Sequence, residues 1–233
     1  MKKYEFTGET KTNIFGKTLR RIKASISFGI VEVGKLGGWI EKEENLSDEN
    51  DAWVSGNAEV YGNAWVSGNA RVSGNARVYG DAEVYGNAWV SGNAWVSGNA
   101  RVSGNARVSG DAWVSGDARV YGDAEVYGNA EVYGNAWVSG NARVSGNARV
   151  SEITHLVVIG PIGSRNDFTT FYRDKDKEIS VSCGCFLGKI DKFIQKVSKT
   201  RGLANGETKH AIVYKLAAEL AKTQIDLSTE SED

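Results

Sequence analysis

The residues best equipped for chemistry lie near the C-terminal end of the chain. Gly160-Pro161-Ile162-Gly163-Ser164-Arg165-Asn166 follows the apolar run Leu156-Val157-Val158-Ile159. Glycine-rich turns of this kind aim backbone N–H groups at an anion, and here Ser164 would add a hydroxyl and Arg165 a two-pronged cation. Gly160, Gly163, Ser164, Arg165 and Asn166 are therefore a candidate ligand site, suited to a phosphate or a nucleotide. The stretch lacks the Lys-Ser/Thr of a phosphate-binding loop and the spacing of a dinucleotide fingerprint. The competing expectation is a tight turn in which Arg165 pairs with a local carboxylate such as Asp167.

Thiol and imidazole chemistry is scarce. The chain holds two cysteines, Cys183 and Cys185, and two histidines, His155 and His210. A Cys2His2 metal site is arithmetically open, but its spacing matches no familiar finger. The expectation is two core thiols on the strand face shared with Ile179 and Val181. His210 reads as a surface or capping residue. These residues indicate no catalytic group, no metal and no cofactor.

The elements that must position these side chains fall into three sections, 1–36, 37–151 and 152–233. The first is a small β cap, in which Ile22-Lys23-Ala24-Ser25-Ile26-Ser27-Phe28 alternates apolar and polar residues as a half-buried strand does. The last is an α+β section. Leu156–Ile159 and Glu178–Cys185 read as strands. Ile190, Phe193, Ile194 and Val197 make one helical stripe, and Ile212, Val213, Leu216, Ala217 and Leu220 a second, with Thr208 as its N-cap. The acidic end Glu230-Ser231-Glu232-Asp233 reads as a solvated tail.

Between them the chain repeats the word Ala-x-Val-(Ser/Tyr)-Gly-(Asn/Asp) from Asp51 to Val150, with valine at every sixth residue. Ala and Val, two apart, point to one side of a short strand, and the variable residue between them points out. Gly then allows a left-handed corner, which Asn or Asp also tolerates. Three words make one triangular coil, so five to six coils form a prism with an Ala/Val interior. An irregular first coil starts early, because Gly38-Trp39-Ile40 has the form of the word while Leu46 and Val54 are eight residues apart. The C-terminal section would cover the open end of the prism.

This word resembles the hexapeptide repeat of left-handed parallel β-helix proteins, with Val54 at the aliphatic position and Ala58 at the small one. The resemblance implies a left-handed triangular β-solenoid, mainly β in class. Many proteins with that repeat are acyltransferases that use a histidine base at a trimer interface. This repeat has no histidine, cysteine or lysine and no projecting loop, so the acyltransferase reading is the weaker alternative. Together with Leu36-Gly37-Gly38-Trp39-Ile40, Gly160–Arg165 and Ser182-Cys183-Gly184-Cys185-Phe186, the array also resembles uncharacterised phage and prophage proteins. That resemblance implies a partner in the host cell.

Taking every eighteenth residue as a vertical neighbour sorts the outward side chains into three columns. They read Trp53, Arg71, Trp89, Arg107, Glu125, Arg143; then Glu59, Arg77, Trp95, Trp113, Glu131, Arg149; then Trp65, Glu83, Arg101, Arg119, Trp137. Trp over Arg suits cation–π stacking and Arg over Glu suits ion pairs, both of which stabilise the coil. Alternatively, Trp89, Trp95, Trp113 and Trp137 mark a partner surface. Mixed columns argue against an ice-binding face, and a six-residue word with only occasional Asp argues against a calcium-binding roll. The net charge of −1, with Glu and Asp outnumbering Arg in the repeat, argues against nucleic acid. No apolar run approaches a membrane span, and two close cysteines with no apolar N-terminal core fit the cytoplasm. The reading is a non-enzymatic interaction protein that presents its C-terminal section to a protein partner and self-associates, as a trimer, through a solenoid face. Interference with a host process such as antiviral defence falls within it, and binding of a small anion at Gly160–Asn166 is the alternative.

Overall fold

The computed structural model describes residues 2–203 and 206–228, so the acidic tail Glu230–Asp233 lies outside the described residues. From Trp53–Val54 (β4) to Arg149–Val150 (β20), one two-residue strand recurs in every word. Each but the last three pairs in parallel with the strand eighteen residues on, as in Trp95↔Trp113 and Val96↔Val114. The ladders make walls of six, six and five strands, the first extended to nine by three N-terminal strands, and the outward columns fall in the expected order. The repeat's alanines and valines have essentially no exposure. Burying each valine contributes on the order of 1.5 kcal/mol, so the core is a sum of many equal small terms.

The corners are made differently from the expectation. Every repeat glycine is left-handed, with φ from +59° at Gly134 to +74° at Gly80. The following Asn or Asp is not. Among the described residues the only left-handed positions that are not glycine are Asn50, Asn166 and Lys177, none of them in a repeat corner. Freed from that role, the corner amides form ladders up the prism edges. Asn75 Nδ2 donates to Asn93 Oδ1 at 3.0 Å, and Asn93 Nδ2 to Asp111 Oδ1 at 2.8 Å. Asp accepts but cannot donate, so each Asp ends a run.

At the N-terminal end, β1 (Tyr4–Thr12) and β2 (Thr18–Ala24) form a hairpin. The next strand, β3 (Leu36–Ile40), is antiparallel to β2 and parallel to Glu59–Val60. The early, irregular first coil is present: Ile40 pairs with Val60 and Leu46 bridges Val66. Phe15, in the hairpin turn, reaches the nine-stranded wall.

At the other end, β21 (Leu156–Ile162), β22 (Asp167–Arg173), β23 (Ile179–Cys183) and β24 (Phe186–Lys189) form an antiparallel sheet in sequence order. One face covers the last coil. Tyr172 is fully buried in the solenoid core and donates from its hydroxyl to the Ser145 carbonyl at 3.1 Å, while Thr170 Oγ1 accepts from Arg143 N at 2.9 Å. The other face carries Phe171 against α1 (Ile190–Arg201) and α2 (Lys209–Gln224). Two-residue strands, β25 (Gly202–Leu203) and β26 (Gly206–Glu207), pair between the helices. The sheet thus separates the solenoid core from a second, smaller core. It caps the prism, as expected.

Two expectations fail in this section. The second strand stops at Cys183, because Gly184 turns left-handed and starts the hairpin to β24. Cys183 is therefore half-buried and accepts from Thr169 Oγ1 at 3.2 Å, whereas Cys185 is exposed rather than in the core. Of the expected stripe on α2, Ala217 is buried and Val213 half-buried, but its three large residues Ile212, Leu216 and Leu220 are misplaced. Ala211, Ala217, Ala218 and Ala221 face the core, while Ile212, Leu216 and Leu220 stand in solvent. Small alanines let the helix backbone approach α1 closely, which outweighs burying the larger residues. Thr208 does cap α2, accepting from Ala211 N at 3.3 Å.

Candidate functional site

The Gly160–Asn166 stretch is the hairpin between β21 and β22, with Ile162 paired to Asp167. Asn166 N donates to Gly163 O at 3.4 Å, and Asn166 is left-handed at φ 48°. Gly163 sits beneath α2, where any Cβ would run into the Tyr214 hydroxyl. Gly160 lies back in the strand beside Phe168, joined to Pro161 by a cis peptide bond. The hairpin therefore delivers only Ser164 and Arg165 of its five candidates to a common space.

That space is a cleft of ≈ 290 Å³ between the two hairpin turns and the helices. Phe186, Phe193, Val197 and Tyr214 give it an apolar floor, and Arg165 and Lys196 bring two positive charges against the one carboxylate of Asp167. Cys183 and Cys185 share it. Lys196 Nζ lies 5.4 Å over the Phe186 ring, and Phe193 meets Tyr214 edge to face at 5.6 Å. Arg165 does not pair with Asp167, whose carboxylate instead lies 3.9 Å from Arg143. Sequence reasoning missed Lys196, Phe186 and Tyr214, although Phe193 and Val197 were legible as the helix stripe that forms the floor. The cleft has the chemistry to hold an apolar group with a negative end.

His155 is buried in a 3-10 turn (Ile153–His155), where Nδ1 accepts from Ser151 N at 3.2 Å. His210 is half-buried in the first turn of α2. Neither lines the cleft. Among the described residues no group of three or more His, Cys, Asp or Glu side chains is placed to hold a metal. No helix among them is long and apolar enough to cross a membrane.

The tryptophans do not form one patch. Trp89 is on the six-stranded wall, Trp95 and Trp113 on the nine-stranded wall, and Trp137 on the five-stranded wall. Only Trp95 and Trp113 meet, edge to face at 6.5 Å. Their neighbours satisfy them as the columns predict. Arg77 and Arg119 each sit 5.1 Å over Trp95 and Trp137, and Trp89 Nε1 donates to Ser73 Oγ at 3.1 Å. Arg77, Arg101 and Arg149 approach Glu59, Glu83 and Glu131 at 3.4–3.5 Å. Glu59 is buried, whereas the two exposed pairs, at Arg101 and Arg149, add about 0–1 kcal/mol each.

Residues 70–84, 82–98 and 100–116 match the model of the YdcK beta solenoid repeat. The fold is a β-solenoid related to YdcK-type repeat proteins. No curated protein matches the chain. The YdcK-type match lies wholly within the walls and includes Trp89, Trp95 and Trp113. The cap and its cleft are outside it.

Proposed function

We propose that this chain is a non-enzymatic interaction protein, in which the solenoid is a rigid spacer and the C-terminal cap holds the recognition site. The observation that carries the reading is the cleft itself, where Arg165 and Lys196 meet an aromatic floor on the end of a prism of repeated short strands. A partner segment with an apolar or aromatic side chain next to a carboxylate has the matching chemistry. The resemblance to phage and prophage proteins supports a host protein as that partner, with antiviral defence one such process. The free thiols support a reducing, cytoplasmic setting, and the hexad word supports a left-handed coil. Affinity capture from a bacterial lysate should recover a specific protein with the wild type and lose it with Arg165→Glu. Equal recovery by both would refute the cap as the recognition site.

The same cleft supports a second reading, a small anionic ligand such as a phosphate or nucleotide. Calorimetric titration with phosphate and nucleotides separates the two readings. Saturable binding that Arg165→Ala abolishes favours the ligand. Trimer formation through a wall belongs to the proposal as well, and a monomeric mass by light scattering at micromolar concentration would remove it.

A further inference from the structure

On the five-stranded wall one position of the word alternates small and aromatic residues, as Ser67, Tyr85, Ser103, Tyr121 and Ser139. Tyr85, Ser103 and Tyr121 occupy the same position of the word in three successive coils. Where this chain places tyrosines in adjacent coils, the rings stack: Tyr61 and Tyr79 lie parallel, with centroids 5.1 Å apart and an interplanar angle of 1°. Tyr85 and Tyr121 are two coils apart, roughly 10 Å at the spacing of paired strands. Ser103 thus leaves open the middle seat of a three-ring stack. The resulting slot, ≈ 250 Å³, is lined by Tyr85, Arg101, Ser103, Arg119, Tyr121 and Trp137.

The nine-stranded wall shows what such a place accepts. There Arg77, Tyr79 and Trp95 repeat the arrangement of Arg119, Tyr121 and Trp137, down to the 5.1 Å between guanidinium and indole. On that wall the chain supplies its own aromatic cover, with Phe15 at 5.8 Å from Tyr79 and 6.5 Å from Trp95. No aromatic contact of this kind covers Tyr121 or Trp137 among the described residues, and both are substantially exposed.

The charge beside the slot is also unusual. Arg101 pairs directly with Arg119 across parallel strands, and no other neighbouring pair in the three columns sets Arg beside Arg. Like charges in that relation destabilise a sheet. Glu83 offsets Arg101 at 3.5 Å, but Arg119 has no carboxylate at ion-pair distance among the described residues. Asp81 and Asp117 lie on the opposite flank of the arginines. Along the strand they are ~13 Å from the tyrosine column but only ~6.6 Å from the arginines, whose pull on a phosphate they reduce.

We infer that this slot binds a flat aromatic ring carrying a phosphate, with the ring seated over Ser103 between Tyr85 and Tyr121 and the phosphate held by Arg101 and Arg119. Guanidinium forks match phosphate oxygens, and the offset rings supply the stacking. A nucleotide and a phosphorylated tyrosine both offer this chemistry. The site is independent of the cap cleft, so either can fail alone.

Calorimetric titration of the full chain with adenosine monophosphate and with O-phosphotyrosine tests it, and the tighter of the two identifies the source. Adenosine and inorganic phosphate, which each carry half of the ligand, should bind at least about tenfold more weakly. Ser103→Tyr fills the seat with the ring found in the coils on either side, and should abolish binding while leaving the melting curve intact. Arg119→Gln should weaken binding about tenfold, and it decides the matter if Ser103→Tyr fails to fold. No saturable binding of either phosphate, adenosine binding as tightly as its monophosphate, or undiminished binding by Ser103→Tyr or a folded Arg119→Gln overturns the inference.

Discussion

Lys3 is almost fully buried, with its ammonium donating to the carbonyls of Glu49 at 3.2 Å and Asn50 at 3.1 Å. Burial lowers its pKa to about 8, against the opposing pull of Asp48 and Asp51. The unfolded chain, with a lysine near its ordinary value, therefore binds more protons between about pH 8 and 10 than the folded one, and stability rises with pH across that window. Lys3→Met should flatten this rise, read from denaturant midpoints at pH 7.5 and 9.5. An unchanged slope would show that Lys3 is not the group responsible. A different residue-scale cost sits at the corners. Gly98, at φ +64°, would bring a Cβ to 2.9 Å from Gly116 N, whereas Gly140, at φ +61°, has nothing within 4 Å of that position. Gly140→Ala should cost only the left-handed penalty of about 1–2 kcal/mol. Gly98→Ala should cost roughly 1–3 kcal/mol more, because backbone of the next coil must move. Equal melting temperatures for the two variants would mean that coil-to-coil contact does not constrain the corner.

Among the elements, the walls were legible because one word repeats without a slip, so every outward residue falls into its column once the period is known. Trp95 beside Trp113 and Arg77 beside Glu59 follow from counting alone. The cap was less legible, since its helices are chosen by fit to neighbours that sequence does not display. On α2 the bulky Leu216 and Leu220 suggest the buried face, yet the alanines take it. At Cys185 one glycine ends the strand and turns the second thiol outward. The cleft suffered similarly: Ser164 and Arg165 were visible in a glycine-rich turn, but Lys196 and Tyr214 reach it from helices distant in sequence. The edge of this element that meets the walls through the backbone is held electrostatically from within the cap. Asp174 bridges Ala148 of the last coil, and its carboxylate accepts from Lys189 and Ser180. Burial alone would raise the Asp174 pKa, but the bonds from Lys189, Ser180 and Glu178 N outweigh it and hold the group below its ordinary value. The folded pKa is depressed, so the stabilisation is present above about pH 4 and is lost as pH falls through that value and below. Hydrogen exchange of the β21–β24 sheet should therefore quicken between pH 5 and pH 3 relative to the walls, after correction for intrinsic rates. Asp174→Asn should show fast exchange at both. A sheet equally protected in the variant would place the joint elsewhere.

At the scale of the whole molecule, stability is close to a sum over coils, each in contact only with its neighbours. The contacts that seat the cap all fall in the final coil, at Arg143, Ser145, Asn147 and Ala148. Length can therefore change in the middle without disturbing either end. Duplicating residues 123–140 adds one full turn, moving the cap outward by about 4.8 Å with its facing unchanged. Duplicating Asn135–Gly140 adds one word and rotates the cap by a third of a turn, advancing it by only ~1.6 Å. Both variants should stay folded and melt near the parent, because each new word repeats the buried Ala and Val, although the full turn also sets Glu125 and Glu131 beside their own copies at about 0.2–1 kcal/mol per like-charged pair. A large loss of stability in either would mean that the coils are not interchangeable. Their difference in binding is more informative. A partner that reads the cap alone should be captured equally by both. One that grips the cap and a wall together should tolerate the full turn better than the single word, since rotation, unlike a short shift along the axis, presents it with a different column of side chains.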